Sequence, residues 1–230
     1  MKWSEFKLNK IYNDDFIIKS KKYICDSIKN APCMIYEPIQ LNINSELLSA
    51  IISNCTYEEF NIIKNINLSG VCFDGVNVSG KDFSESIGVR INAQTVLDKC
   101  LRNVKLNGVE VIGSLDGVDV RRTDFTGCKG AKINPQTVWD KSLRFTNLSG
   151  VKIVGSFDGV NVRSTKFTGS IGAKINPQTV LDKSLANTEL GGVEIVGSLD
   201  GVNVDRANFA GSTFDLRGDN NLEKIKILRK

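Results

Sequence analysis

Histidine is absent from this sequence. That removes the usual general base near neutral pH and the commonest metal ligand. No stretch approaches the roughly 18 uninterrupted apolar residues that a membrane helix needs. The N-terminal MKWSEFKLNKIYNDDF lacks the apolar core of a secretion signal. A cytoplasmic protein with no membrane partner is therefore expected. Aromatics are scarce, at 7%. No G-x-S-x-G, phosphate-binding glycine loop or nucleotide fingerprint occurs in a strand-turn-helix context. The acidic residues are scattered, so none pair up for acid–base work. The expectation is a protein that is not an enzyme, with no catalytic residue, cofactor or metal.

What is present is ordinary for a globular chain: 41% apolar and 24% charged residues, with 30 basic against 26 acidic. The 230 residues fit one elongated domain or a domain with a small extra module. Six cysteines stand at 25, 33, 55, 72, 100 and 128. None forms a C-x-x-C pair, and without histidine a zinc site would need four scattered thiolates. Reduced thiols are the simplest reading.

The informative feature is internal repetition, which dictates a fold before secondary structure is considered. KINPQTV occurs at 132–138 and 174–180, with the variant RINAQTV at 90–96; each copy follows the last by 42 residues. GSLDGVDV, GSFDGVNV and GSLDGVNV recur from Gly113, Gly155 and Gly197. Each unit divides into steps of mostly five residues with an apolar centre and often a terminal glycine. Four steps make a turn of about 20 residues, so one unit holds two turns. Ser86-Ile87-Gly88, Cys128-Lys129-Gly130 and Ser170-Ile171-Gly172 are inserts separating the pairs.

Aligning the centres gives four columns over seven turns. The first is Leu68, Ile91, Val111, Ile133, Ile153, Ile175 and Ile195; the second is Phe73, Val96, Leu115, Val138, Phe157, Val180 and Leu199. The third is Val78, Leu101, Val120, Leu143, Val162, Leu185 and Val204; the fourth is Phe83, Leu106, Phe125, Leu148, Phe167, Leu190 and Phe209. All 28 are apolar, and the fourth alternates Phe with Leu. The pattern predicts a solenoid whose columns meet along a central axis, about 4.8 Å per layer and on the order of 34 Å long.

Ala207-Asn208-Phe209-Ala210-Gly211, Thr146-Asn147-Leu148-Ser149-Gly150 and Thr123-Asp124-Phe125-Thr126-Gly127 resemble the steps of the pentapeptide-repeat family. The resemblance covers about residues 66–216. It implies a right-handed, four-sided β-helix of about seven turns, mainly β, with a small mixed α/β N-terminal cap. Gln94, Gln136 and Gln178, with Lys99, Lys141 and Lys183, depart from the pattern where a small inward residue is expected. An unpaired buried lysine is expensive, so those steps distort or let the side chain escape. INPQTVWDKSL has a rival, less favoured local reading: a short helix capped by Asn134, with Pro135 first and Val138, Trp139 and Leu143 on one face.

Residues 1–65 lack the repeat and form a capping or accessory segment; 66–216 are the β-helix; 217–230 are a C-terminal cap or tail. Thr56-Tyr57-Glu58-Glu59 has capping-box spacing and predicts a helix near 57–64. Ser45 starts another, with Leu47, Leu48, Ile51 and Ile52 on one stripe. Phe16–Ile18 and Met34–Tyr36 suit strands. The tail carries five basic residues against two acidic, and the family resemblance implies a possible homodimer through that end.

Asp74, Asp116, Asp158 and Asp200 recur within F/L-D-G-V. On alternate turns they stand roughly 9–10 Å apart, too far for one ion with ligands at about 2.3–2.6 Å. Asp-Gly turn chemistry is the preferred reading. Leu97, Trp139 and Leu181 fall at equivalent places in alternate turns, as a candidate partner-binding stripe or as local packing. The expected function is a non-enzymatic protein-interaction scaffold with a protein partner of unknown identity. The alternative implied by the family is a DNA mimic that modulates a type II topoisomerase (gyrase). That role needs an acidic rod, whereas residues 66–216 carry 17 basic and 16 acidic residues. No basic stripe with interleaved aromatics is visible along the chain, so no strong nucleic-acid signal is read.

Overall fold

A computed structural model describes residues 14–29, 45–64, 68–84 and 86–215. Among these the chain is mainly short parallel strands and tight turns, with few helices and no closed barrel. The helices are α1 (Asp14–Lys29), α2 (Ser45–Ser53) and α3 (Tyr57–Ile63). The strands are β1 (Arg90–Asn92), β2 (Glu110–Ile112), β3 (Lys132–Ile133), β4 (Lys152–Ile153), β5 (Lys174–Ile175), β6 (Glu194–Val196) and β7 (Thr213–Asp215).

Backbone pairing follows the repeat. Asp82, Lys105, Asp124, Asn147, Lys166, Glu189 and Asn208 form one continuous run of parallel bridges, with steps alternating between 23 and 19 residues. Beside it, the amides of Phe83, Leu106, Phe125, Leu148, Phe167 and Leu190 donate to carbonyls one level on, at 2.8–2.9 Å. The expected columns are therefore in register. Of their 28 side chains, 27 are buried; Val204, near the last level, is only partly covered. Phe73 and Phe83 meet edge to face at 5.6 Å between centroids, as do Phe157 and Phe167 at 5.4 Å.

The inserts explain why the first column is three separate sheets, β1-β2, β3-β4 and β5-β6-β7. Glu110 pairs with Lys129, but the next sheet begins at Lys132, paired with Lys152. The chain moves along by three residues between the two pairings, which breaks the ladder at every second level. Gly130 makes this bulge possible: its φ is +79°, and a Cβ there would lie 2.8 Å from the Val111 carbonyl oxygen.

Two positions before each fourth-column centre lies a second inward residue. Thr123, Thr146, Thr165 and Thr188 are fully buried there. Their hydroxyls donate to the carbonyls of Leu101, Val120, Leu143 and Val162 at 2.5–3.0 Å, so no polar atom is stranded. At the first level the same position is Lys81, only 3% exposed.

Phe16–Ile18, expected as a strand, lies in α1. Asp14 and Asp15 occupy the first turn, where carboxylates favour a helix start. Ile17 and Ile24, two turns apart, are both buried. The described part of residues 1–65 is thus helical rather than mixed; Met34–Tyr36 and residues 217–230 lie outside the described residues. The other two expected helices form, and Thr56 and Glu59 make the capping box, at 3.2 and 2.9 Å. Phe60 packs on Phe83 at 4.8 Å. Ser49 Oγ donates to the Cys72 carbonyl at 2.5 Å, and Ser53 Oγ accepts from the Asn77 amide at 3.1 Å. These contacts seat α2 and α3 against the first level of the repeat.

Two stability outcomes follow. Ser170 is buried with an unpaired hydroxyl, in the insert position that Cys128 fills without one. Ser170→Ala is expected to stabilise by about 1 kcal/mol, raising the thermal midpoint by roughly 2–4 °C; an unchanged or lowered midpoint contradicts the assignment. Burial holds Lys81 below its ordinary value of 10.5. Between the folded and unfolded values the unfolded chain binds more protons, so stability rises with pH through that window up to 10.5. Lys81→Thr, copying the other levels, is expected to be more stable at pH 7 and to lose that alkaline gain in urea titrations across pH.

Candidate interaction surface

The steps that depart from the repeat are resolved in the turns on either side of the second column. Asn134 caps no helix. Its Oδ1 accepts from the Gln136 amide at 3.1 Å and its carbonyl from the Thr137 amide at 3.1 Å, closing a tight turn over Pro135. The next turn, Trp139–Lys141, is too short to continue as a helix: Asp140 and Lys141 are left-handed, at φ +55° and +43°. Asp98-Lys99 and Asp182-Lys183 repeat this geometry. It turns the lysines outward, and all three are exposed. Gln94, Gln136 and Gln178 bridge levels instead, each donating Nε2 to two carbonyls of the following turn at 2.6–3.2 Å.

The Asp-Gly residues sit at the corner after the second column on the intervening levels. Asp74 and Asp116 accept from the hydroxyls of Thr95 and Thr137. The carbonyls of Thr95, Thr137 and Thr179 accept from the amides of Gly75, Gly117 and Gly159 at 2.7 Å. Hydrogen bonds from Ser114 and Thr137, and from Ser156 and Thr179, hold the Asp116 and Asp158 carboxyls below the ordinary value. The aspartates tie one level to the next, and no group of three potential metal ligands occurs among the described residues. Sequence reading missed the other half of this line. Asp98, Asp140 and Asp182 supply a carboxylate on the levels between, two residues past the column centre instead of one.

Leu97, Trp139 and Leu181 occupy equivalent places, their amides donating to Val76, Val118 and Val160 carbonyls at 3.0–3.1 Å. Trp139 and Leu181 are exposed and Leu97 is half-buried. The three positions thus recur on every second level, about 10 Å apart, with a polar corner between them. Arg121 lies over the Trp139 ring, Cζ 4.3 Å from its centroid, and is forked onto Asp119 at 2.7 and 2.8 Å. Burial opposes ionisation of Asp119, yet the bonds from Arg121 bring its carboxyl below the ordinary value.

A second exposed ring, Phe145, was not singled out from the sequence. The guanidiniums of Arg122 and Arg144 lie 5.1 and 5.0 Å from its centroid. The signal was available in the two residues after each third-column centre, which read Arg102-Asn103, Arg121-Arg122, Arg144-Phe145 and Arg163-Ser164.

The thiols offer no activated nucleophile among those with a shifted value. Burial pushes Cys55 up to about 12 and Cys128 up to about 11, and raises Cys72 as well. Among the described residues, Cys25, Cys55, Cys72, Cys100 and Cys128 form no disulfide.

No family model and no curated protein sequence matches this chain. Among solved structures, a trypsin-treated variant of QnrB1, a plasmid-mediated fluoroquinolone resistance protein, aligns over 65% of this chain and 80% of its own. The identity is 14% and the TM-score 0.23. At that score the similarity carries no argument about either fold or function.

Proposed function

We propose that residues 68–215 wind as a right-handed, four-sided β-helix of seven turns and serve as a non-enzymatic interaction scaffold. The observation carrying this reading is the unbroken run of parallel bridges from Asp82 to Asn208, laid over columns in which 27 of 28 side chains are buried. The right-handed sense rests on the resemblance to pentapeptide-repeat proteins. α2 and α3 would act as the cap that a stacked core requires at its end. A non-catalytic role is supported by the absence of histidine and by the raised thiols.

In a solenoid each turn touches only its neighbours, so one whole period is removable. Excision of residues 132–173 joins Ala131 to Lys174 and restores the local sequence AKINP. The shortened protein is expected to fold cooperatively and, by small-angle scattering, to be shorter by about 10 Å, two levels. Excising only residues 132–151 breaks the 23/19 alternation and is expected to destabilise strongly. A 42-residue excision that unfolds while the shorter one survives would overturn the architecture.

On this scaffold the line of Leu97, Trp139 and Leu181 is the proposed docking place for a protein partner. Combined Trp139→Ala and Leu181→Ala substitution is expected to weaken an identified partner at least tenfold by calorimetry. Undiminished affinity would remove the line from consideration.

A further inference from the structure

The chain has nine arginines, and six stand at the corner between the third and fourth columns: Arg102, Arg121, Arg122, Arg144, Arg163 and Arg206. Backbone bonds stack them. Asn103 N donates to Arg121 O, Arg122 N to Arg144 O, and Phe145 N to Arg163 O, each at 3.2 Å. Arg102, Arg121, Arg144 and Arg163 therefore occupy four successive levels, with Arg122 and Phe145 alongside.

On the flat faces four cations are paired across levels, Lys105–Asp82, Lys166–Glu189, Lys174–Glu194 and Arg90–Glu110, all at 2.7–2.8 Å. At this corner only Arg121 has a carboxylate partner, Asp119 of its own level. Arg102, Arg122, Arg144 and Arg163 are exposed and form no ion pair with a described carboxylate. The two exposed aromatic rings of residues 68–215, Trp139 and Phe145, 47% and 44% exposed, both lie against guanidiniums of this corner: Arg121 reaches over Trp139, and Arg122 and Arg144 flank Phe145. Phe145 holds φ +62°, a conformation disfavoured for a bulky side chain; Gly80 and Asn103 fill the same position on other levels. The two cation–π contacts of Phe145 return at most about 0.5–1 kcal/mol each at an exposed site, comparable to the cost of order 1–3 kcal/mol of holding a bulky residue in that backbone region.

We infer that this ridge binds an unpaired nucleic-acid strand. Guanidiniums fit phosphate in paired hydrogen bonds, and their planes and the rings offer stacking surfaces to unstacked bases. Four levels span about 14 Å, enough for about four nucleotides at the stacked spacing of roughly 3.4 Å. A duplex keeps its base faces inside the stack and has no use for the rings. An acidic peptide presents charge but no planar face, and lysine would serve it equally. The ridge shares Trp139 with the proposed protein-docking line but not Leu97 or Leu181, so Leu181→Ala alone reads the docking line and the arginine substitutions alone read the ridge.

The test is fluorescence anisotropy with a labelled twelve-nucleotide oligo-thymidylate across a salt series. The logarithm of affinity is expected to fall against log salt with a slope of about −3, for four phosphates at roughly −0.7 each. Arg122→Gln combined with Arg163→Gln is expected to lose at least tenfold and flatten the slope by about 1.4. Trp139→Leu should lose about fivefold or more with the slope unchanged, which separates stacking from charge. Lys132→Gln with Lys152→Gln, an equal charge loss on the first column, should stay within twofold. The inference is overturned if the arginine pair binds like the unaltered protein. It is overturned equally if a twelve-residue polyglutamate or a twelve-base-pair duplex binds as tightly as the single strand.

Discussion

Everything in this molecule depends on parallel backbone pairing between one level and the next, at steps that alternate between 23 and 19 residues. Parallel register places like positions side by side. That suits apolar residues, whose columns become continuous, and it suits the threonines, whose hydroxyls each reach a carbonyl of an earlier level. It is unfavourable for charge, because a repeated charged position would stack like on like. The fourth column meets this by alternation of sign: Asp82, Lys105 and Asp124 follow one another on its outer face, and Lys105 donates to Asp82 at 2.8 Å. The arginine corner does not alternate, and neither does the aspartate line on the corner before it, so the two corners carry opposite charge.

The core was legible in the sequence because burial follows spacing alone. A residue at the centre of a five-residue step points inward regardless of its neighbours, and Val204 escapes only because it lies near the end of the stack. Corners were less legible, since their shape depends on dihedrals that spacing does not encode. INPQTVWDKSL satisfied helix rules locally; the left-handed Asp140 and Lys141 make it a turn that also releases the lysine to solvent. In α1 the failure ran the other way. Phe16–Ile18 looked extended when read over three residues, whereas Ile17 and Ile24 declare a helix only over two turns.

Charge was misleading for a related reason. A balance of 17 basic to 16 acidic residues over 66–216 describes the far field, which argues against an acidic mimic of DNA. It does not describe the near field. The aspartates, one per level from Asp74 to Asp200, line the corner after the second column, while the arginines line the corner after the third. At physiological ionic strength fields decay over about 8 Å, comparable to two levels, so a strand on one corner responds to that corner more than to the total.

Corners are also where such a chain is free to change. Column centres are constrained by close packing on all sides, and substitution there leaves a cavity or a clash. The residues after each centre meet only a dihedral requirement, which Gly80, Asn103, Arg122, Phe145, Ser164 and Asn187 all satisfy with positive φ. Five residue types in one backbone slot show that the dihedral requirement alone does not select among them. Where arginine and phenylalanine gather on neighbouring levels, Arg122 and Arg144 flank the Phe145 ring, and the cluster still presents an exposed cationic and aromatic edge to solvent.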